Sequence, residues 1–175
     1  MTIYTIGHST RTIDELIELL KTQRIEVLVD IRSFPMSRRL QHFNRENMEK
    51  SLADAQIEYR WMKDLGGRRK RELKESPNIA LRNESFRNYA DYMLTPAFQN
   101  AIAELLQLAA NRRTAIMCAE AVYFRCHRML VSDYVSAHGH EVRHIFDKNE
   151  PRPHTLMAEA RLVDGQLLFR GDRLL

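Results

Sequence analysis

Val27-Leu28-Val29-Asp30-Ile31 is a continuous apolar run with one acid near its end. A strand with one wet face alternates polar and apolar residues, so a run without alternation is expected of a strand buried on both faces of a parallel sheet. Such a sheet requires covering helices, and the sequence on either side supplies them. Upstream, Thr12-Ile-Asp-Glu15 has the form of a capping box, and Ile13, Leu16, Ile17 and Leu20 follow at helical spacing. Before that helix, Ile3 to Ile6 is a short β-prone run ended by Gly7-His8-Ser9. Strand, helix and strand make a βαβ unit.

Downstream, Ser33-Phe34-Pro35 must break the strand, and Arg45 to Ala55 is expected to form a helix with Met48, Leu52 and Ala55 inward. A third strand is expected over Ile57 to Trp61. The stretch from Leu65-Gly66-Gly67 through Arg68-Arg69-Lys70-Arg71 to Ser76-Pro77 shows no period and reads as a basic excursion from the sheet. Phe86, Tyr89, Ala90 and Met93 fit a short helix. Thr95-Pro96 then opens a longer one, with Phe98, Ile102, Leu105, Leu106 and Ala109 as its core stripe. Thr114 to Cys118 reads as a buried strand, Cys126 to His138 as a helix ending at Gly139, and Val142 to Phe146 as the last parallel strand. Asp164-Gly165 between two apolar runs is a hairpin signal, placing a β-hairpin over or beside a sheet edge. The expected fold is therefore one α/β domain over residues 1–175: an open, mostly parallel sheet with helices on both faces and a C-terminal β-hairpin.

The composition, 44% apolar and 29% charged with 6 Gly and 5 Pro, excludes a disordered chain. Met1 runs directly into Ile3-Tyr4-Thr5-Ile6, and no apolar run reaches the length of a membrane span. The expected compartment is the cytoplasm, with no membrane partner. There, two cysteines are expected to be thiols, ligands or a redox pair rather than a structural disulfide. The net charge of +4 and the pI near 9.2 suit an anionic small molecule or a nucleic acid as partner. No G-x-G-x-x-G follows the first strand and there is no P-loop, so the residues indicate no nicotinamide, flavin or ATP cofactor.

In an open parallel sheet, ligands bind beyond the carboxyl ends of the strands. Gly7, His8 and Ser9 follow the first strand, Asp30 and Arg32 end the second, and Cys118 and Glu120 end the fourth, all on one rim. The segment Cys118-Ala-Glu120 to Cys126-His127-Arg128 holds the densest set of reactive side chains. Its last three residues are expected in the first helical turn, where the dipole lowers a thiol pKa and favours an anion.

Together, Thr5-Ile6-Gly7-His8-Ser9, Val29-Asp30-Ile31-Arg32 with Pro35 and Ser37, Leu65-Gly66-Gly67, and Cys118-Ala119-Glu120 with Cys126-His127-Arg128 resemble the family called domain of unknown function 488. The resemblance covers essentially the whole chain. It implies a common site of Gly7, His8, Ser9, Asp30, Arg32, Gly66, Gly67, Cys118, Glu120, Cys126, His127 and Arg128. Some members of the family carry labels linking them to DNA repair or nucleic acids.

Three readings follow. The first is an enzyme using the thiol of Cys118 or Cys126, with His127 or His8 as acid–base partner, Asp30 and Glu120 in the same set, and Arg32 or Arg128 holding an anionic substrate. Phosphatase spacing would require Arg where Phe124 stands, which disfavours that chemistry. The second is a metal site of Cys118, Cys126 and His127 completed by Glu120 or His8. The third is a nucleic-acid or nucleotide-binding module using Arg38, Arg39, Arg68, Arg69, Lys70 and Arg71, with Tyr59, Trp61 and Tyr123 stacking on bases. Each residue also has a plain structural role to weigh: Asp30 pairing with Arg32, Glu120 capping the following helix, His8 satisfied within its turn. His138, His140 and His144 look less directed to the cleft, and His42 and His154 fall in loops.

Overall fold

The computed structural model describes residues 1–171. The chain runs β1 (Thr2–Gly7), α1 (Ile13–Thr22), β2 (Val27–Asp30), α2 (Arg45–Asp54), β3 (Glu58–Trp61), α3 (Glu84–Tyr92), α4 (Pro96–Asn111), β4 (Thr114–Cys118), α5 (Arg128–Ala137), β5 (Glu141–Ile145), β6 (Arg152–Pro153), β7 (Ala160–Val163) and β8 (Gln166–Phe169). The main sheet has the order β3-β2-β4-β1-β5-β6. Its first five strands in chain order are mutually parallel, and β6 pairs antiparallel to β5 at the edge.

Alternation along the strands divides the core. Ile3, Val27, Val29, Ile31, Ile116 and Val142 pack with α3, α4 and α5 on one face. Tyr4, Ile6, Leu28, Ala115, Met117 and Ile145 pack with α1 and α2 on the other. Helix starts follow local chemistry. The Thr12 hydroxyl accepts from the Glu15 amide, the Asn83 side chain from Phe86, and the Thr95 hydroxyl from Phe98 ahead of Pro96. Among the described residues no helix is long and apolar enough to cross a membrane.

Three local features differ from the expectation. The helix expected from Cys126 starts later: a 3-10 turn, Tyr123–Arg125, is followed by Cys126 in an extended conformation. Regular helix begins at Arg128, with His127 as its N-cap. Cys126 stays outside the helix, with its sulfur 2.8 Å from Cys118 Sγ. The second feature is β6, a two-residue strand whose proline suits an edge. The third is the hairpin β7–β8, which forms a separate two-stranded ribbon instead of extending the main sheet. Its Ala160, Leu167 and Phe169 bury against the α3–α5 face.

The basic excursion is pinned rather than free. Buried Asn78 donates to Asp91 Oδ1 in α3 at 2.7 Å and accepts from the Phe169 amide in β8 at 2.9 Å.

This topology positions the site. The chain leaves β2 toward the α1–α2 face and leaves β4 toward the α3–α5 face. Because β2 and β4 are neighbours, their loops diverge and open a crevice at the carboxyl end of the sheet.

Candidate functional site

A pocket of about 560 Å³ occupies this crevice. Its wall includes Arg32, Ser33 and Phe34 after β2, Gly67 and Arg68 from the excursion, Tyr89 of α3, and Cys118 to Glu120 with Arg125 to His127 after β4.

The strand ladder of β1 continues past its end and fixes the β4 loop. The His8 amide donates to Cys118 O at 3.0 Å and the Ser9 amide to Ala119 O at 2.9 Å. Gly7 is required by this close approach, since a Cβ there would overlap the Glu120 carbonyl oxygen. Gly66 and Gly67 act in the same way on the other side of the crevice. A Cβ on Gly66 would lie 2.6 Å from Ser33 Oγ, and one on Gly67 would overlap His127 Nδ1.

Both thiols are buried and unpaired by disulfide, with their sulfurs 2.8 Å apart. The guanidinium of Arg128, itself buried, lies behind them. Its Nε is 3.0 Å from Cys118 Sγ and 3.4 Å from Cys126 Sγ, and its backbone amide donates to Cys126 Sγ at 3.4 Å. Its Nη2 donates to Glu120 O at 2.6 Å. No carboxylate among the described residues pairs with Arg128. Besides the carbonyl and hydroxyl acceptors of its Nη atoms, the groups beside Arg128 able to carry a balancing negative charge are the two sulfurs. The hydrogen bond from the Cys118 thiol, reinforced by Arg128, outweighs burial and lowers the Cys126 pKa to about 7. The same hydrogen bond, together with burial, pushes the Cys118 thiol up. The two thiols therefore titrate as one pair whose first proton leaves near neutrality, more readily from Cys126.

His127 lies partly open to the pocket, with Nε2 2.7 Å from Ile31 O. A carbonyl only accepts, so Nε2 carries the proton and Nδ1 is left as an acceptor. Burial lowers its pKa to about 4, which makes it a neutral hydrogen-bonding group at pH 7 and a weak base.

Asp30, Arg32 and His8 form a buried network of their own. Asp30 Oδ1 accepts from Arg32 Nε at 2.9 Å and from the Arg32 amide at 3.0 Å, while Oδ2 accepts from Arg32 Nη2 and Tyr59 Oη, both at 2.6 Å. Arg32 Nη2 also donates to Phe43 O at 2.7 Å. The remaining arm, Nη1, lies 3.3 Å from His8 Nε2, and His8 Nδ1 lies 2.8 Å from Ser9 O. Burial lowers the His8 pKa to about 4, and its ring stacks on Phe43. Arg32 reaches the pocket wall with its charge balanced by Asp30. Glu120 lies exposed on the rim, and no side-chain cap holds α5.

Sequence reasoning missed a second polar chain. Arg128 Nη1 donates to Thr5 Oγ1 at 3.3 Å, Thr5 Oγ1 lies 2.7 Å from His144 Nδ1, His144 Nε2 lies 3.0 Å from His154 Nδ1, and His154 Nε2 lies 2.8 Å from Asp133 Oδ1. Uniform donation from Arg128 toward Asp133 satisfies every link, and burial lowers the His144 pKa to about 3. Tyr123 stacks flat on His144 at 3.5 Å. A signal was available, because His144 shares strand parity with buried Val142 and Asp133 lies within a helix that buries Arg128.

The other candidate binding groups are largely engaged. Arg69 stacks on Tyr92 at 3.7 Å and donates to Gly66 O at 3.0 Å, and Arg71 donates to Leu73 O at 3.0 Å. Trp61 Nε1 donates to Arg32 O at 2.9 Å. Arg38, Arg39 and Lys70 are exposed, and Arg68 lies over exposed Phe34. No group of three or more His, Cys, Asp or Glu side chains among the described residues converges to hold a metal ion.

The sequence model of the family described as domain of unknown function DUF488 matches residues 12–135, most of the chain. The chain belongs to the DUF488 family. The match takes in Asp30, Arg32, Gly66, Gly67 and the whole Cys118 to Arg128 segment of this DUF488 protein, while Gly7, His8 and Ser9 lie just before it. No curated protein and no solved structure matches the chain.

Proposed function

We propose that this DUF488 protein is a cytoplasmic cysteine-dependent enzyme whose Cys126 thiolate attacks an electrophilic centre on a small anionic ligand. The observation carrying this reading is the buried Arg128 guanidinium, which has two sulfurs and no carboxylate beside its Nε. Such a cation stabilises a thiolate more than a thiol, so the nucleophile exists at neutral pH.

The other groups take roles set by geometry. Arg68 and Arg125, exposed at the pocket wall, attract the anionic part of the ligand. His127 lines the pocket as a neutral imidazole, its Nδ1 covered by Gly67. Asp30 and His8 hold Arg32 in the pocket wall. Gly7 with Ser9 fixes the β4 loop, and Gly66 with Gly67 lets the excursion close over His127. A nucleic acid is a weaker reading of the same face, because Tyr59, Trp61 and Tyr123 are held by Asp30, Arg32 and His144 and are not free to stack on bases.

The test is anion protection of the thiolate. Inorganic phosphate at constant ionic strength should slow iodoacetamide alkylation of Cys126, and the protection should vanish in a double variant with Arg68→Ala and Arg125→Ala. Alkylation unaffected by phosphate in the unaltered protein would overturn the anionic-ligand assignment.

A further inference from the structure

We propose that Cys118 is the resolving thiol of Cys126, so that the site works as a dithiol that reduces a small anionic disulfide. The inference rests on the thiolate reading above and adds the substrate class and the fate of the covalent intermediate.

Three observations carry it. The sulfurs are 2.8 Å apart without being bonded, so Cys118 can reach any adduct on Cys126 with little motion. Both cysteines line the pocket, which opens the pair to a ligand although each side chain is mostly covered. Arg128 Nε reaches both sulfurs, at 3.0 Å and 3.4 Å, so one cation serves whichever carries the charge.

The sequence of events follows from these contacts. The Cys126 thiolate attacks one sulfur of the ligand disulfide, forms a Cys126–ligand disulfide and expels the first ligand thiolate. That adduct removes the anion to which Cys118 was donating, and with it the main cause of the raised Cys118 pKa. Arg128 then favours ionisation of Cys118. The Cys118 proton passes to the first ligand thiolate, the Cys118 thiolate attacks Cys126 Sγ, and the second half of the ligand leaves as a thiolate as the Cys118–Cys126 disulfide closes. Two electrons pass from the protein dithiol to the ligand disulfide, and an external thiol reductant restores the dithiol.

The electrophile follows from this geometry. Attack by Cys118 on Cys126 Sγ needs a leaving group on that sulfur able to accept an electron pair, which a thioester or thiophosphate does not offer. A pocket of about 560 Å³ with exposed Phe34 and Met36 beside Arg68 suits a small charged organic disulfide better than a peroxide.

The probe is 5,5′-dithiobis(2-nitrobenzoate), an anionic aromatic disulfide with a coloured leaving group. With only two cysteines in the chain, the stoichiometry is readable. The full-length protein should release two thionitrobenzoate equivalents and lose two hydrogens in mass, with no adduct retained. The Cys118→Ser variant should release one equivalent and keep one adduct on Cys126. Retention of adducts by the unaltered protein would overturn the resolving role while leaving a reactive Cys126 intact. A protein inert to the probe at neutral pH would overturn both readings. Closure of the internal disulfide by hydrogen peroxide alone, with no reaction toward the probe, would overturn the substrate class.

Discussion

Arg128 places its Nε 3.0 Å from Cys118 Sγ, a buried guanidinium held against sulfur where a carboxylate would be the usual partner. The ionisation of the thiol pair depends on this relationship.

Removing the cation should reveal that dependence. An opposite charge at this range shifts a pKa by about 1 to 3 pH units, so Arg128→Gln should raise the alkylation midpoint of Cys126 by that amount. Iodoacetamide rates across pH, normalised to the unfolded protein, measure it. A midpoint unchanged in a folded Arg128→Gln variant would show that the guanidinium does not stabilise the thiolate.

The Asp30–Arg32 pair should prove structural in its first effect. Breaking a buried ion pair on one side costs about 3 to 5 kcal/mol, so Asp30→Ala should lose that much in a urea titration. Tyr59→Phe removes a single hydrogen bond to Asp30 and should lose about 1 kcal/mol. Asp30→Ala within 1 kcal/mol of the unaltered protein would contradict the pairing.

Two glycines should tolerate no side chain. Gly7→Ala meets backbone at Glu120 O and Gly67→Ala meets the His127 ring, so each should lose at least about 2 kcal/mol. At Gly139 the surrounding space is open and only its positive φ resists a Cβ, for which about 1 kcal/mol is expected. Thermal melts of the three variants give the order, and Gly139→Ala as the most damaging would refute it.

Stability should fall on acidification in a defined window. His8 and His144 are buried neutral, with pKa values lowered to about 4 and about 3. Between the ordinary value of 6.5 and those values the unfolded chain binds more protons, so unfolding becomes easier as pH falls. Each contributes on the order of 1.4 kcal/mol per pH unit. Denaturant midpoints at pH 7, 6 and 5 should therefore decline, and His144→Phe should flatten the decline. A flat profile would contradict neutral burial.

The legible part of the fold came from periodicity. Val27 to Ile31 and Thr114 to Cys118 lack alternation because both faces are covered, and Thr12, Thr95 and Pro96 mark helix starts by local chemistry alone. The rim was readable too, since parallel strands necessarily present their carboxyl ends together. What stayed hidden depends on partners distant in sequence. Nothing near Cys126 shows that its sulfur meets Cys118 or that regular helix waits until Arg128. Nothing near His154 shows that it bonds Asp133 and His144. Likewise, the rim residues Asp30, Arg32 and His8 looked available for chemistry until the structure placed them in contact with one another.

The central claim is that Cys126 is the ionised thiol at neutral pH. The most direct measurement is peptide-mapped alkylation of the fully reduced protein as a function of pH. The account predicts that the first adduct falls on Cys126 with a midpoint near pH 7, and that Cys118 is modified only after it. First modification at Cys118, or a Cys126 midpoint near the ordinary thiol value of 9, would contradict it.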